Sequence, residues 1–562
     1  YTFGKENYLS PFAFTKDWFF IGNILGEARY YYTPNKVSAT IKFNEAASRK
    51  IQRVNVIDTT KSYSFNLSRK FTLNHKFTKS FSSNYTKQMD SNLDEFRYNK
   101  LDMVQQMNPG LVKSISEKLT NTYSPDFLNW LNPTITYNPT YNWNLNIIDT
   151  LSTANVKSSS TFKTKIGLSL KELVELVYTP ENKGKSSSSR GRGRGRSSSS
   201  KKNKKNFNVK NPVLRFMLGG VHTVVSKLNK ISSTYTYTTA HDYNNISSDL
   251  STSYLYRLGI QKSPLNASGG VLFNDDFNAN NNLVGSSSSS YGNDLTVSTS
   301  VSLTRAIVTS LDFRYSNSLT MPSTASRTKN ESFSFYPLGL RGDEGIPISN
   351  WSINWSGIEK WWFMDKFFKS INISHGFNGE RSMSSKDENN DGIITDDELQ
   401  NEQYSLNYSP IIGITTKTKG RSPVTFKVNY NLNQTIKKID ESTERNHGSQ
   451  ISSSISFKKS GGLTIPFFFF RDFYIPNDMD FTLNFNWNTD QKLMTSTVVD
   501  DLTGFNEQMN NTSWSLKPNV SYSFTRWVTG NFFFVYGISE NKTTGRNEER
   551  DFGFNVNIKI QG

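Results

Sequence analysis

Twelve consecutive residues of this chain have the types and spacing of a cation site. Asp387 to Glu398 reads DENNDGIITDDE. In an EF-hand loop, oxygen donors at alternate positions wrap a hard cation, a glycine at the sixth position permits a sharp turn, and a glutamate at the twelfth chelates through both oxygens. Here Asp387, Asn389 and Asp391 hold the first, third and fifth positions, Gly392 the sixth, Ile394 the eighth and Glu398 the twelfth. Ile393 would offer its carbonyl, and Thr395 a hydroxyl or a bound water. The expected ligands for a structural Ca2+ are therefore Asp387, Asn389, Asp391, Ile393, Thr395 and Glu398. The flanks, RSMSSK and LQNEQYSLNY, do not read as a helix pair. The sequence thus predicts a calcium-stiffened loop between two strands, not a sensor that opens.

No second chemistry emerges. The five histidines, at positions 75, 222, 241, 375 and 447, have no ligand spacing, and cysteine is absent. There is no GxSxG elbow, no Walker loop and no pair of carboxylates that spacing alone can place together. An enzyme is not expected. The net charge of +17 is concentrated partly in one linker, and no nucleic-acid module accompanies it. Nucleic acid is not an expected partner.

The elements that must carry the loop read as strands. From Met479 the chain runs MDFTLNFNWNT, then WSLKPNVSYSFTRW, NFFFVYGIS and DFGFNVNIKI. Phe481, Leu483, Phe485 and Trp487 share one parity, as do Phe552, Phe554, Val556 and Ile558. Period-two alternation puts one class of residue on each face of a strand. One face is aromatic and aliphatic; the other is Asn, Ser, Thr, Lys and Gly. Aromatics make up 14% of the chain while hydrophobic residues reach only 35%. A soluble core leans on Leu, Val and Ala, whereas a transmembrane barrel needs an apolar residue only at every second position. No apolar run approaches the length of a membrane-spanning helix. The fold class expected is all-β: a large antiparallel transmembrane β-barrel with a small helical insertion and long loops, in the bacterial outer membrane. Its first partner is outer-membrane lipid.

The same alternation begins at Lys36 and recurs to the end. Residues 1–167 read as barrel strands with a helical loop near 108–130, where Leu111, Ile115 and Leu119 have helical spacing. Residues 168–231 read as an insertion. Two helices, LKELVELVY and one opened by Pro212, flank the linker 181–206, a Ser/Arg/Gly/Lys stretch that cannot bury apolar surface. Residues 232–562 return to strands, with the calcium-like loop 387–398 among them. The stretch 263–293 is rich in Gly, Asn and Ser and reads as a long loop. Trp351 and Trp355, with Trp361 and Trp362 nearby, suit an interfacial girdle.

The order of these parts resembles the C-terminal part of the SprA/Sov family, the outer-membrane translocon of type IX secretion. YYYTPNKVSATIKFNEAASRKIQR, KSYSFNLSRKFTLNHKFTKSFSSNYT, NPTITYNPTYNWNLN, a basic linker and NPVLRFMLGGVHTVVSKLNKISSTYTYTTA follow one another as the corresponding family segments do. AHDYNNISSDL stands where the family has a short Gly/Pro-rich segment. The resemblance implies a non-catalytic pore that exports folded cargo proteins, works with a lateral partner barrel and a periplasmic plug, and has about 36 strands in all. At about 10 residues per strand plus loops, this chain supplies roughly eighteen to twenty of them. Taken alone, half a wall would leave an open sheet edge or be forced into a barrel too small for that family's task. Two other readings stand beside it. A small-molecule transporter or porin would close a complete barrel within this length, and a surface adhesin would show charged outward faces.

Overall fold

The computed structural model describes residues 7–10, 29–52, 58–125, 130–148, 151–178, 212–248, 251–265, 285–338, 344–420, 422–439, 442–460, 463–467, 470–495, 504–525 and 527–559. The linker 181–206 lies outside them. The wall begins with β1 (Lys36–Gln52), β2 (Asp58–Lys76), β3 (Phe81–Asn92), β4 (Leu111–Tyr123), β5 (Leu131–Ile148), β6 (Leu151–Leu168) and β7 (Ile231–Ser247). It continues with β8 (Ser286–Ser302), β9 (Ile307–Pro322), β10 (Thr328–Leu338), β11 (Glu344–Pro347), β12 (Asn350–Ser356) and β13 (Phe368–Lys386). It ends with β14 (Leu399–Thr418), β15 (Val424–Ile439), β16 (Ser442–Lys459), β17 (Met479–Thr495), β18 (Asn506–Ser523), β19 (Val528–Asn541) and β20 (Gly545–Ile558). All ladders are antiparallel, and the strand order is that of a closed barrel. Among the described residues no helix is long and apolar enough to cross a membrane.

Register carries the alternation from strand to strand. Phe457 lies opposite Phe481, Phe481 opposite Val520, Val520 opposite Phe532, and Phe532 opposite Phe554. The apolar parity therefore forms one continuous face, and Asn, Ser and Thr form the other. Lipid offers no hydrogen bonds, so the apolar face is the outside and the polar face the lumen. The apolar positions occupy only half of each strand. On β17 they run from Phe481 to Trp487, and Thr489 and Gln491 follow on the same face. On β20 they run from Phe552 to Ile558, preceded by Glu548 and Arg550. Seven or so residues at ~3.3 Å each make a belt that runs about 23 Å along the strand, on the order of the lipid-facing band of an outer-membrane barrel. With 19 residues in β13 and 20 in β14, the wall continues well beyond the belt on one side. Antiparallel direction places the 387–398 loop, the turns after β3 and β7, and this overhang at the same rim. The helical insertion lies at the other rim.

Twenty strands do not make twenty wall positions. The upper part of β9 pairs with β10, and its lower part with β12. The two also pair with successive parts of β13. They therefore share one position, and β11 pairs only with the last residues of β10. The interruption is an arm, described at Phe335–Leu338 and Glu344–Pro347, that leaves the wall on the apolar face, where Tyr336 meets Phe377 at 5.2 Å. Among the described residues eighteen wall positions remain. Ladder groups orphaned at the break are taken up by side chains. Ser334 Oγ accepts from Arg314 N at 2.9 Å, and Asn350 Oδ1 accepts from Gly379 N at 2.8 Å. Gly379 is required, since a Cβ there would stand 2.2 Å from the Phe335 carbonyl oxygen.

The structure revises three expectations. Residues 111–123 form β4, not a helix, and the helix lies upstream as α1 (Lys100–Gln105). Ile115 and Leu119 are four apart, a spacing that a strand face satisfies as well as a helix stripe. The β-branched Val112, Ile115, Thr120 and Thr122 and pairing on both edges settle it. Ser286–Ser290, read as loop, opens β8, because its backbone pairs with β7 and β9 whatever its side chains. The expected open edge becomes a seam. The strand order brings β20 round to β1 as hydrogen-bonded neighbours, though among the described residues their contact is slight beside that of the other ladders. Ile41 and Phe43 are 64% and 54% exposed, Phe552 and Phe554 76% and 57%. The insertion helices are where expected: α2 (Leu170–Glu175), capped by Ser169 Oγ, and α3 (Pro212–Val225). His222 Nε2 joins them at 3.3 Å from Glu175 Oε1. Among wall strands, the one with the least cover opens first, and Gly545–Ile558 is exposed almost throughout. Amides of Gly545–Ile558 are therefore expected to exchange hydrogen well before those of Phe368–Lys386, measured by mass spectrometry in detergent.

Candidate functional site

The lumen face is the largest functional surface of the chain. Along β17 it presents Thr482, Asn484, Asn486 and Asn488. Across the ladders lie Ser452, Ser454 and Gln450 on one side, and Asn519, Lys517, Ser515 and Ser513 on the other. Shallow troughs run along it, one of about 240 Å³ lined by Asn486, Asn488, Ser513, Ser515 and Lys517. Another, about 280 Å³, is lined by Ser316, Ser318, Asn330, Ser332 and Ser384. Amides and hydroxyls bind water well and offer no apolar surface to hold a passing solute. For eighteen positions at ~4.8 Å spacing and a tilt of about 40°, the opposite backbones stand about 35 Å apart.

Above the lipid belt the outer face is not bare. Leu93, Phe96 and Met103, from the turn after β3 and from α1, pack on Phe65 and Leu67 of β2. The segment after β7, with the short helix α4 (Tyr254–Arg257), lies across β4 to β7. Tyr256 is fully buried among Tyr141, Val156 and Ile246, and its hydroxyl donates to the His241 carbonyl at 2.8 Å. Burial pushes the Tyr256 phenol pKa up. Arg257 Nη1 reaches Glu117 Oε1 at 3.1 Å, and Lys87 Nζ reaches the same oxygen at 3.0 Å. A second charged group, Arg381, Glu402 and Lys438, sits among Phe333, Phe335 and Tyr404. Ion groups of this kind do not face hydrocarbon, which supports placing the overhang in water. Sequence alone did not show these groups, because their members meet only across ladders or from distant loops.

The calcium-like loop joins β13 to β14, between two strands as expected. Asp387 is 1% exposed and Glu398 8%. Asn389, Asp391, Ile393 and Thr395 lie on the exposed turn. Asp387 Oδ2 accepts from Gly392 N at 3.0 Å. Its Oδ1 is buried with no hydrogen-bond partner. Glu398 Oε1 accepts from Glu388 N at 3.0 Å and Oε2 from Thr395 N at 2.9 Å. These amides, Thr395 first, hold the Glu398 carboxyl below its usual pKa. Gly392 has φ +87°, the left-handed turn that the sixth position demands. Arg327, from the turn between β9 and β10, donates to the Gly392 carbonyl, and its own carbonyl accepts from Asp387 N. Nothing in the sequence pointed to Arg327. Among the described residues no three His, Asp or Glu side chains are gathered at metal-holding distance. Two of the histidines are tied into the wall: His241 Nδ1 pairs with Ser289 Oγ at 2.8 Å and His375 Nδ1 with the Ile411 carbonyl at 2.7 Å.

No family model matches the chain, and no curated protein matches it. Among solved structures, the open form of the ferric-catecholate import receptor Fiu from E. coli K12 aligns at 10% identity, covering 94% of this chain and 78% of the receptor, with a TM-score of 0.25. The siderophore receptor PirA from Acinetobacter baumannii aligns at 8% identity, covering 94% of this chain and 74% of that one, with a TM-score of 0.24. The architecture stands on its own ladders and belt. The chain is an antiparallel transmembrane β-barrel of the bacterial outer membrane.

Replacing a buried aromatic by alanine costs about 3 kcal/mol or more. Tyr256→Ala is expected to free the segment 251–265 for trypsin cleavage at Arg257 or Lys262 while the barrel keeps its heat-modifiable gel mobility. Unchanged protection would refute the docking role of Tyr256.

Proposed function

We propose that this chain is a non-catalytic transport pore of the outer membrane for bulky polar cargo. The observation that supports this best is a wall of eighteen positions around a lumen faced with Asn, Ser and Thr. Barrels of sixteen or more strands leave aqueous room that small ones fill with side chains. A folded domain of about 100 residues has a radius of gyration near 13 Å, so the lumen has the scale of a protein as well as of a small solute. The ordered segments that resemble those of the SprA/Sov family favour secreted proteins as cargo, with a lateral partner barrel and a periplasmic plug at work beside the pore.

A second reading, a small-molecule transporter, is favoured by one feature: the strand order closes within this chain. Deleting the gene in its host separates the two. The protein-export reading expects secreted proteins to accumulate in the periplasm, detected by fractionation and mass spectrometry, with small-solute uptake unchanged. Normal secretion together with lost uptake of an iron chelate or oligosaccharide would reverse the order of the two readings.

A further inference from the structure

We infer that the loop 387–398 binds one calcium ion at the rim of the overhang, with Asp387 Oδ1 as its innermost ligand. The inference is independent of what the pore transports.

The spacing of donors is the first observation, and the state of Asp387 the second. A carboxylate oxygen taken out of water without a hydrogen bond is costly. Asp387 is 1% exposed, and its Oδ1 has no partner. Its other oxygen is held by Gly392 N at 3.0 Å, which fixes the carboxylate against the loop and leaves Oδ1 buried without a hydrogen bond. A cation in the loop would supply the missing partner. Hard oxygen donors with no sulfur and no imidazole select calcium or magnesium over transition metals. The flexible, many-oxygen loop suits calcium, since magnesium demands near-ideal octahedral geometry and sheds water reluctantly.

The remaining donors are within the same turn. Asn389 and Asp391 lie on its exposed side, Ile393 offers a carbonyl, and Glu398 closes the loop with a carboxylate now shared between two loop amides. A cation would draw both Glu398 oxygens away from those amides. Arg327 supports the turn from outside. Its guanidinium binds the Gly392 carbonyl, and its backbone carbonyl holds Asp387 N at 2.9 Å. It thereby ties the first and sixth loop positions to the neighbouring turn. The cleft beside it, about 500 Å³ and lined by Ser323, Arg327, Asp387 and Asn390, gives the ion a path from solvent.

The test is calorimetry on the full chain in detergent, titrated with CaCl2 and separately with MgCl2, after removal of metal with EDTA. The expected result is one saturable calcium site, with magnesium at least tenfold weaker. Asp387→Ala should abolish the heat. Asp391→Asn removes a carboxylate charge while its amide oxygen can keep the bond from Ile393 N at 2.7 Å, and should weaken calcium by roughly tenfold or more. Heat-modifiable mobility of each variant verifies that the barrel is intact. No binding by the wild type, equal response to magnesium, or unchanged affinity in Asp391→Asn with an intact barrel would each overturn the inference.

Discussion

In hydrocarbon an unpaired backbone amide or carbonyl costs several kcal/mol, and no water is present to relieve it. That constraint explains most of this chain. It forces each transmembrane strand to find neighbours on both sides, and it makes register a property of the whole wall. Once Phe481 faces lipid, Val520, Phe532 and Phe554 must face it as well, because the ladders line them up. The same rule explains the break between β10 and β12. Where the wall strand leaves and a new segment takes its place, Ser334 and Asn350 accept the amide bonds that the ladder no longer supplies.

The seam between β1 and β20 is where this rule is least satisfied. Both strands are the most exposed of the wall, on the apolar face and the polar one. The chain order nevertheless brings them together. The contrast with β13 and β14, whose pairing is long and interrupted only by bulges, is one of degree of cover, since the residue types are similar. Phe552 and Phe554 are as apolar as Phe481 and Phe485.

Much of the fold was legible in the sequence because period two is a strong signal and aromatic residues mark one parity. The insertion helices were legible for the same reason in reverse: LKELVELVY changes period, and Pro212 marks a start. The helix expected near 108–130 failed because a spacing of four is even and belongs to both periods. The shared wall position of β10 and β12 was hidden, since FSFYPLGLRGDEGIPISNWSINW alternates on either side of the arm as though it were two ordinary strands. At the candidate site, donor types and spacing were readable, and so was the setting between strands. The burial of Asp387 and the reach of Arg327 were not, because both depend on a turn about sixty residues away in sequence. The charged groups around Glu117 and Glu402 needed the register and the folded-back loops before their members could be seen as neighbours.

The loop segments that lie on the outside of the overhang have a consequence for how the molecule is made. The segment around Tyr256 is held against the wall by Arg257, which with Lys87 pairs with Glu117, a charged collar that would be costly to carry through hydrocarbon once formed. Docking of these segments acts as a ratchet on insertion. A barrel that has crossed and folded its collars can slide back only by first undoing them, so the direction of assembly is stored in contacts that play no part in the wall itself.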